Sequence, residues 1–265
     1  MMIVLNGELT DVSEETTEEL RQNRFPNADT VIVDGEPVSE DTGLEEYSRV
    51  YICSMPEGLT GAITKRCTEG VSSALRNATV GIAGAGGLGS NIATYLARSG
   101  VGRIIIADFD RVEPSNLNRQ NYDLSHLGLF KVDAISEVIS RINPDIEVIA
   151  RAVRIDRGNV TEIFSGCDVI CEAFDAAGEK TKLVEAVSSL MPGVPMVCGS
   201  GMAGIGDTDS MNVRKLSDTL YLCGDGVSEA GEEGIMAPRV AVCAGMMANK
   251  VIQLLSKKAR KWMTI

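Results

Sequence analysis

Histidine is nearly missing from this chain of 265 residues; His126 is the only one. Chemistry that runs without imidazole fits that composition, and His126 itself reads as structural. Long apolar runs are missing too. None approaches the roughly 18 residues that a membrane-spanning helix needs. The stretch from Met1 to Thr10 has no basic segment of the kind that opens a signal peptide, so a cytoplasmic location is the expectation. Seven cysteines are present, Cys53, Cys67, Cys167, Cys171, Cys198, Cys223 and Cys243, but no two are spaced CxxC. An odd count without paired knuckles argues against a disulfide framework and against a structural zinc site. Nor is there an excess of positive charge: the net charge is −12, which speaks against nucleic acid as the main partner. No internal repeat or low-complexity tract is evident.

What is present is unevenly distributed. Residues 1–58 hold 14 Asp and Glu against 3 Lys and Arg, a net of −11, which leaves −1 for the rest. Two pieces of different composition are joined, with a boundary expected between 57 and 58. The first piece, 1–57, reads as a small α+β module. Met2 to Leu5 is an apolar strand followed by Asn6-Gly7, a strong hairpin signal. A polar helix runs to Gln22 from a cap at Ser13 or Thr16. Thr30 to Val33 is a strand closed by Asp34-Gly35, and Arg49 to Cys53 is the last strand. Strand, strand, helix, strand, strand is the order of a β-grasp domain. Ser54 to Gly58 reads as the linker.

The second piece, 58–265, opens with a helix over Leu59 to Asn77 and then alternates strand and helix. The expected strands are Thr79–Ala83, Arg103–Ala107, Ile146–Ala150, Asp168–Cys171 and Pro195–Cys198. The helices are Ser90–Ser99, Lys131–Ile142 and Glu179–Leu190. Unbroken apolar strands between helices imply a doubly wound, mainly parallel sheet. Met211 to Leu222 supplies one or two antiparallel edge strands, and Cys223 to Gly234, glycine-rich and acidic, reads as a mobile loop. Arg239 to Leu255 is apolar nearly all round, as in a helix buried in the protein or in an oligomer interface.

The first chemistry-bearing motif is Gly84-Ala85-Gly86-Gly87-Leu88-Gly89, a GxGxxG between a strand and a helix. Such glycines let the backbone approach a phosphate chain at a helix N-terminus. Alone the match is weak. Asp108, 19 residues after Gly89 and at the end of the next strand, adds an acid placed to bond a ribose hydroxyl. The nucleotide could still be NAD, but the next segment argues otherwise. Asp108-Phe109-Asp110 leads into Ser115-Asn116-Leu117-Asn118-Arg119-Gln120 and then Gly128-x-x-Lys131. Two cations beyond the second strand suit a nucleotidyl transfer, in which negative charge builds on departing pyrophosphate.

From Thr79 to Leu255 the chain resembles the ThiF/MoeB/HesA family, bacterial relatives of ubiquitin-activating enzymes. The pieces that carry the resemblance are GAGGLG at 84–89, DFDRVEPSNLNRQ at 108–120, GLFKVDA at 128–134, RINPDI at 141–146, ICEAFD at 170–175 and GIMAPRVAV at 234–242. Residues 1–53 resemble a ThiS-like ubiquitin fold through MIVLNGE at 2–8, TTEELR at 16–21 and VIVDGEPV at 31–38. The resemblance implies a Rossmann-like adenylation domain that uses ATP and Mg²⁺ to adenylate the C-terminal carboxylate of a ThiS-like sulfur carrier. A homodimer is implied as well, and the fused module favours the thiamine branch. Residue by residue, Gly84, Gly86, Gly87 and Gly89 with Asp108 and Asp110 would bind the nucleotide. Asn116, Arg119 and Gln120 would contact its phosphates and the carrier's terminus. Lys131 would hold the phosphate chain, and Asp175 would be the magnesium-linked acid. A carboxylate nucleophile is ionised at neutral pH, so the enzyme needs no general base, only in-line placement and charge stabilisation.

The chain departs from this family in three respects. The arginine of an RYxRQ segment is missing near Glu57 to Gly61, where only Lys65 or Arg66 stand nearby. The zinc knuckles are absent, and Ala176 follows Asp175 where relatives usually carry Asn. The N-terminal module runs on into Pro56-Glu57-Gly58-Leu59, so it has no free carboxyl end to adenylate. A covalent thiol, if used, would be Cys223, although its acidic neighbours Asp225, Glu229, Glu232 and Glu233 disfavour a thiolate. Two other readings stay open: activation of a small-molecule or tRNA-linked carboxylate, and a nucleotide-binding regulatory or scaffold protein.

Overall fold

A computed structural model describes residues 1–54, 61–62, 65 and 67–262. The chain forms two compact units, Met1–Lys65 and Arg66–Ile265. Of the expected linker only Ser54 is described; the rest of it, the 57/58 boundary and Arg66 fall outside the described residues, and Lys65 is exposed.

In the first unit, β1 (Met2–Leu5) and β2 (Glu8–Asp11) form a hairpin, followed by α1 (Thr17–Arg24), β3 (Thr30–Val33), β4 (Glu36–Val38) and β5 (Arg49–Cys53). Both hairpin turns use left-handed pairs. Asn6 and Gly7 have φ of +49° and +90°, and Asp34 and Gly35 have +51° and +93°, the backbone of type I′ turns that match strand twist. Thr16, not Ser13, caps α1: its hydroxyl accepts from the Glu19 amide at 3.3 Å. The sheet order is β2-β1-β5-β3-β4, with β1 and β5 parallel. One face buries Ile3, Leu5, Val31, Val50 and Ile52 against Leu20 of the helix. This is the β-grasp arrangement expected from the strand and helix order.

The second unit begins with α2 (Glu69–Arg76), which corrects the single helix expected over Leu59–Asn77: Gly61 and Ala62 are helical, but Lys65 and Cys67 are not, and Thr68, extended at φ −71° and ψ 145°, is the residue from which α2 starts. A seven-stranded sheet follows, ordered β11-β12-β10-β9-β6-β7-β8. Its strands are β6 (Thr79–Ala83), β7 (Arg103–Ala107), β8 (Glu147–Arg151), β9 (Val169–Glu172), β10 (Met196–Gly199), β11 (Asn212–Lys215) and β12 (Leu220–Gly224). Apolar side chains cover both faces. On one face α3 (Gly87–Arg98), α4 (Lys131–Ile142) and α7 (Ala237–Trp262) bury Ile92, Leu96, Ile135 and Val251 against Val80 and Ile82. On the other, α5 (Val160–Ile163) and α6 (Ala177–Leu190) bury Ile163, Leu183 and Val187 with Phe164 against Ile105 and Ile170.

Two further expectations are corrected. The helix after the glycine turn starts at Gly87, not Ser90, because glycines without Cβ tolerate the first turn packed on the strand end. The stretch 211–222 supplies one antiparallel edge strand, β11, within the one or two expected, while β12 pairs parallel with β10. The last long helix is not buried all round: Val240, Cys243, Ala244, Met247, Ala248, Val251 and Leu255 form one buried stripe at helical spacing. The sheet is built outward from β6 in both directions, through β7 to β8 and through β9 to β10, so a crevice opens at the carboxyl ends of β6, β7 and β9.

Candidate active site

That crevice is a cleft of about 440 Å³. Its floor is the glycine loop. Gly84, at φ +96°, has no room for a side chain, since a Cβ would stand 2.9 Å from the Ala173 carbonyl. Gly86 faces open space, where the nearest atom to a Cβ would be Gln120 Nε2 at 3.9 Å. Gly86 also caps α3 without a side-chain hydrogen bond, so the first backbone N–H groups of α3 have no side-chain partner there and suit an anion. The loop is held from beneath by Tyr122, whose buried hydroxyl donates to the Ala85 carbonyl at 2.7 Å. Gly89 does not line the cleft. It stands against the strand end, where a Cβ would lie 1.8 Å from the Gly84 carbonyl oxygen. The structure thus gives Gly89 a packing role.

Asp108 follows β7 and grips the loop: its Oδ2 accepts from the Ala85 amide at 2.6 Å and its Oδ1 from the Asp110 amide at 2.7 Å. Burial pushes its carboxyl up, against the lowering effect of these two amides and of Lys131. Lys131, the first residue of α4, is 7% exposed and reaches Asp110 Oδ2 at 2.8 Å. Between them a short 3₁₀ turn at Pro114–Asn116 is closed by Asn116, whose Oδ1 accepts from the Glu113 amide at 3.0 Å. Arg119 is braced by the Ser115 carbonyl and Asn118 Oδ1 at 2.9 and 2.8 Å. Gln120 is buried, and its Oε1 has no hydrogen-bond partner, which leaves an orphaned acceptor at the cleft wall.

Asp175 lies across from these residues. It is exposed and belongs to the connection between β9 and α6, three residues past the end of β9. No hydrogen bond or ion pair engages its carboxylate among the described residues. Gly84, Gly86, Gly87, Asp108, Asp110, Asn116, Arg119, Gln120, Lys131 and Asp175 thus line one cleft.

Other lining residues had no sequence signal. Arg154, just after β8, lies with its guanidinium 5.3 Å from the Phe109 ring centre, and Val153 and Ile155 flank it. No motif marks them, because the loops after parallel strands are brought together only by the fold. Glu172, at the end of β9, is 1% exposed and pairs with Lys180 at 3.1 Å. A signal existed here, a lone acid ending an otherwise apolar strand.

Cys223 corrects the expectation of a loop thiol. It ends inside β12, has no exposed surface, and burial pushes its thiol up to about 11. Its raised pKa comes from desolvation rather than from the acidic residues that follow it in sequence. Of those residues, Asp225 closes a turn, accepting from the Val227 and Ser228 amides and pairing with Arg239 at 2.6 Å, while Glu232 and Glu233 belong to a short helix, Ala230–Glu233. Iodoacetamide applied to the native protein is expected to leave Cys223 unmodified while labelling exposed Cys67, as peptide mass mapping would report. Prompt labelling of Cys223 would restore it as a candidate nucleophile. His126 is buried, accepts from the Asp123 amide at 3.1 Å through Nδ1, and does not line the cleft. Among the described residues no cluster of three or more His, Cys, Asp or Glu is arranged to hold a metal ion, and no helix is long and apolar enough to cross a membrane.

Comparison with known proteins gives two family matches, the ThiF family over residues 62–264 and ThiS-like ubiquitin over residues 1–53. Among curated proteins, adenylyltransferase and sulfurtransferase UBA4 of Saccharomyces cerevisiae (strain YJM789) is 32% identical over 254 residues, covering 91% of this chain and 56% of the relative. The protein of the same name from Eremothecium gossypii is 33% identical over 220 residues, 80% of this chain and 47% of the relative. The chain thus spans about half the length of the curated relatives it matches. Among solved structures, E. coli tRNA N6-threonylcarbamoyladenosine dehydratase, TcdA, in complex with ATP superposes with a TM-score of 0.69 at 22% identity, covering 76% of this chain and 95% of that one. E. coli MccB with ATP superposes at 0.57 and 23% identity, covering 71% of this chain and 58% of the other. These two likenesses are likenesses of fold.

Proposed function

The chain belongs to the ThiF family, and on that premise we propose that it is an adenylyltransferase that uses ATP to activate the C-terminal carboxylate of a small ubiquitin-like sulfur carrier. The observation that carries this reading is the cleft itself. A bare glycine loop, two cations, a buried amide with an orphaned acceptor and an unpaired carboxylate converge at the sheet's carboxyl edge.

In this reading the α3 N-terminus and Gly86 take the phosphates, and Asp108 takes the ribose. The base lies beyond Asp108, toward β8, between Phe109, Val153, Arg154 and Ile155. The carrier's carboxylate oxygen attacks the α-phosphorus; an O–P bond forms as the bond to pyrophosphate breaks. The bond pair leaves with pyrophosphate, and no proton has to move. Arg119 and Lys131 offset the charge that grows there. Magnesium fits the residues present: the ion needs one or two protein carboxylates plus substrate phosphates rather than a closed cage, and Asp175 is a free carboxylate on the cleft wall. Bound there, it would supply Lewis-acid stabilisation of phosphoryl oxygens. The ThiS-like module at 1–53 supports a ThiS-like carrier and a place in thiamine thiazole synthesis, and we extend the proposal to a homodimer.

ATP–pyrophosphate exchange tests this. Exchange is expected only when a ThiS-like carrier ending in Gly-Gly is present. Exchange without carrier would transfer the reading to a small-molecule or tRNA-linked carboxylate, and ATP binding without exchange under any condition would leave a regulatory protein.

A further inference from the structure

The buried ion pair at the end of β9 has no place in the chemistry above. A carboxylate in an apolar strand end is costly unless it is paired and hydrogen-bonded. Glu172 is both. Its Oε1 accepts from the Phe174 amide at 2.7 Å, and Lys180 Nζ stands 3.1 and 3.2 Å from its two oxygens. The same ammonium donates to the Gly199 carbonyl at 2.8 Å, the last residue of β10. One lysine, the fourth residue of α6, thereby joins the ends of two neighbouring strands to a helix. Between Glu172 and α6 runs the segment Ala173–Ala176, which carries Asp175 into the cleft. That segment is held at its start by Glu172, through the Phe174 amide, and just beyond its end by Lys180.

Packing alone does not call for this device. Replacing a buried ion pair by apolar residues of similar volume often costs no stability. They would not fix the Phe174 amide or tie α6 to the Gly199 carbonyl. Hydrogen bonds at defined angles fix where a backbone goes, as contacts between methyl groups do not.

We propose that Glu172 and Lys180 are a positioning couple that sets where the Asp175 carboxylate stands in the cleft. Asp175's contribution to binding a nucleotide–metal complex then depends on the couple. This rests on the reading of Asp175 as the magnesium-linked acid.

The test is the ratio of ATP affinities with and without Mg²⁺, measured by calorimetry on the full chain. Wild type, Asp175→Ala, Lys180→Met, the double variant and Lys180→Arg are compared. Lys180→Met is expected to cut the Mg²⁺-dependent gain by about tenfold or more, in the range seen when partners of metal ligands are removed. Lys180→Arg restores most of it, and the double variant is no worse than Asp175→Ala, because the two residues act through one carboxylate. Losses that multiply in the double variant, or a full gain in Lys180→Met, overturn the proposal. A full gain in Asp175→Ala removes the metal-linked reading of Asp175 itself, and the couple then has nothing to position. Should Lys180→Met fail to fold, Glu172→Asp retracts the carboxylate by one methylene and is expected to lose part of the gain. An undiminished gain there is equally fatal.

Discussion

Lys131→Met is expected to lower carrier-dependent ATP–pyrophosphate exchange by about 100- to 1000-fold, the usual cost of removing one preorganised group that stabilises transition-state charge. The melting temperature is expected to stay level or rise. The two halves of this result come from one feature. Lys131 is the first residue of α4, and a helix N-terminus carries a partial positive charge, so a cation there is disfavoured by about 0.3–1 kcal/mol. The side chain is also buried, so its charge is partly desolvated. Its ion-pair partner among the described residues, Asp110, is 49% exposed and loses little in water when left alone, and buried Asp108, whose carboxyl Lys131 also holds down, keeps the Ala85 and Asp110 amides. The methionine fills the same volume without the charge. Local physics argues against a lysine at this position, and a position that breaks a local rule without structural gain is where function is expected. Exchange and thermal melting run on the same preparation separate the cases. Activity lost in step with stability would make Lys131 a structural residue.

The second large effect divides the glycine loop in two. Gly89→Ala is expected to cost stability toward the upper end of the roughly 1–3 kcal/mol typical of overpacked cores, a large share of the roughly 5–15 kcal/mol that holds an ordinary domain. The Cβ would stand 1.8 Å from the Gly84 carbonyl oxygen and 2.8 Å from its carbon. Those are backbone atoms at the end of β6, which cannot swing aside as a flexible side chain would. The Ile82 side chain, 3.4 Å away, closes the other direction. Gly86→Ala is the contrast. Its Cβ meets nothing nearer than Gln120 Nε2 at 3.9 Å, so the fold is kept, but the methyl group projects into the cleft and ATP affinity falls. Denaturant midpoints and ATP titrations of the two variants should therefore show opposite patterns. Equal stability for both would mean that α3 can shift away from β6 at little cost.

Gly89 also shows where reading the sequence stopped. GxGxxG marked a phosphate loop, but six residues of motif do not say which glycine faces a ligand and which faces a strand. That depends on α3 starting at Gly87, a boundary hidden because glycine has low helix propensity and read as turn. The strands of the second unit were legible as unbroken apolar runs, and Asp108, Arg119 and Lys131 through their order after the second strand. Arg154 was not, since a single arginine in a polar loop looks like any solvated charge until β8 is laid beside β7. Cys223 reads as a loop residue because a glycine-rich stretch follows it. The apolar Leu220 to Leu222 before it, paired with β10, decided instead for a strand.

The most direct test of the account is the intact mass of a ThiS-like carrier ending in Gly-Gly after brief incubation with the protein, ATP and Mg²⁺. The account predicts a carrier heavier by one adenylyl group, lost when its terminal glycine carboxylate is blocked as an amide. A carrier of unchanged mass while ATP is nonetheless bound would contradict it.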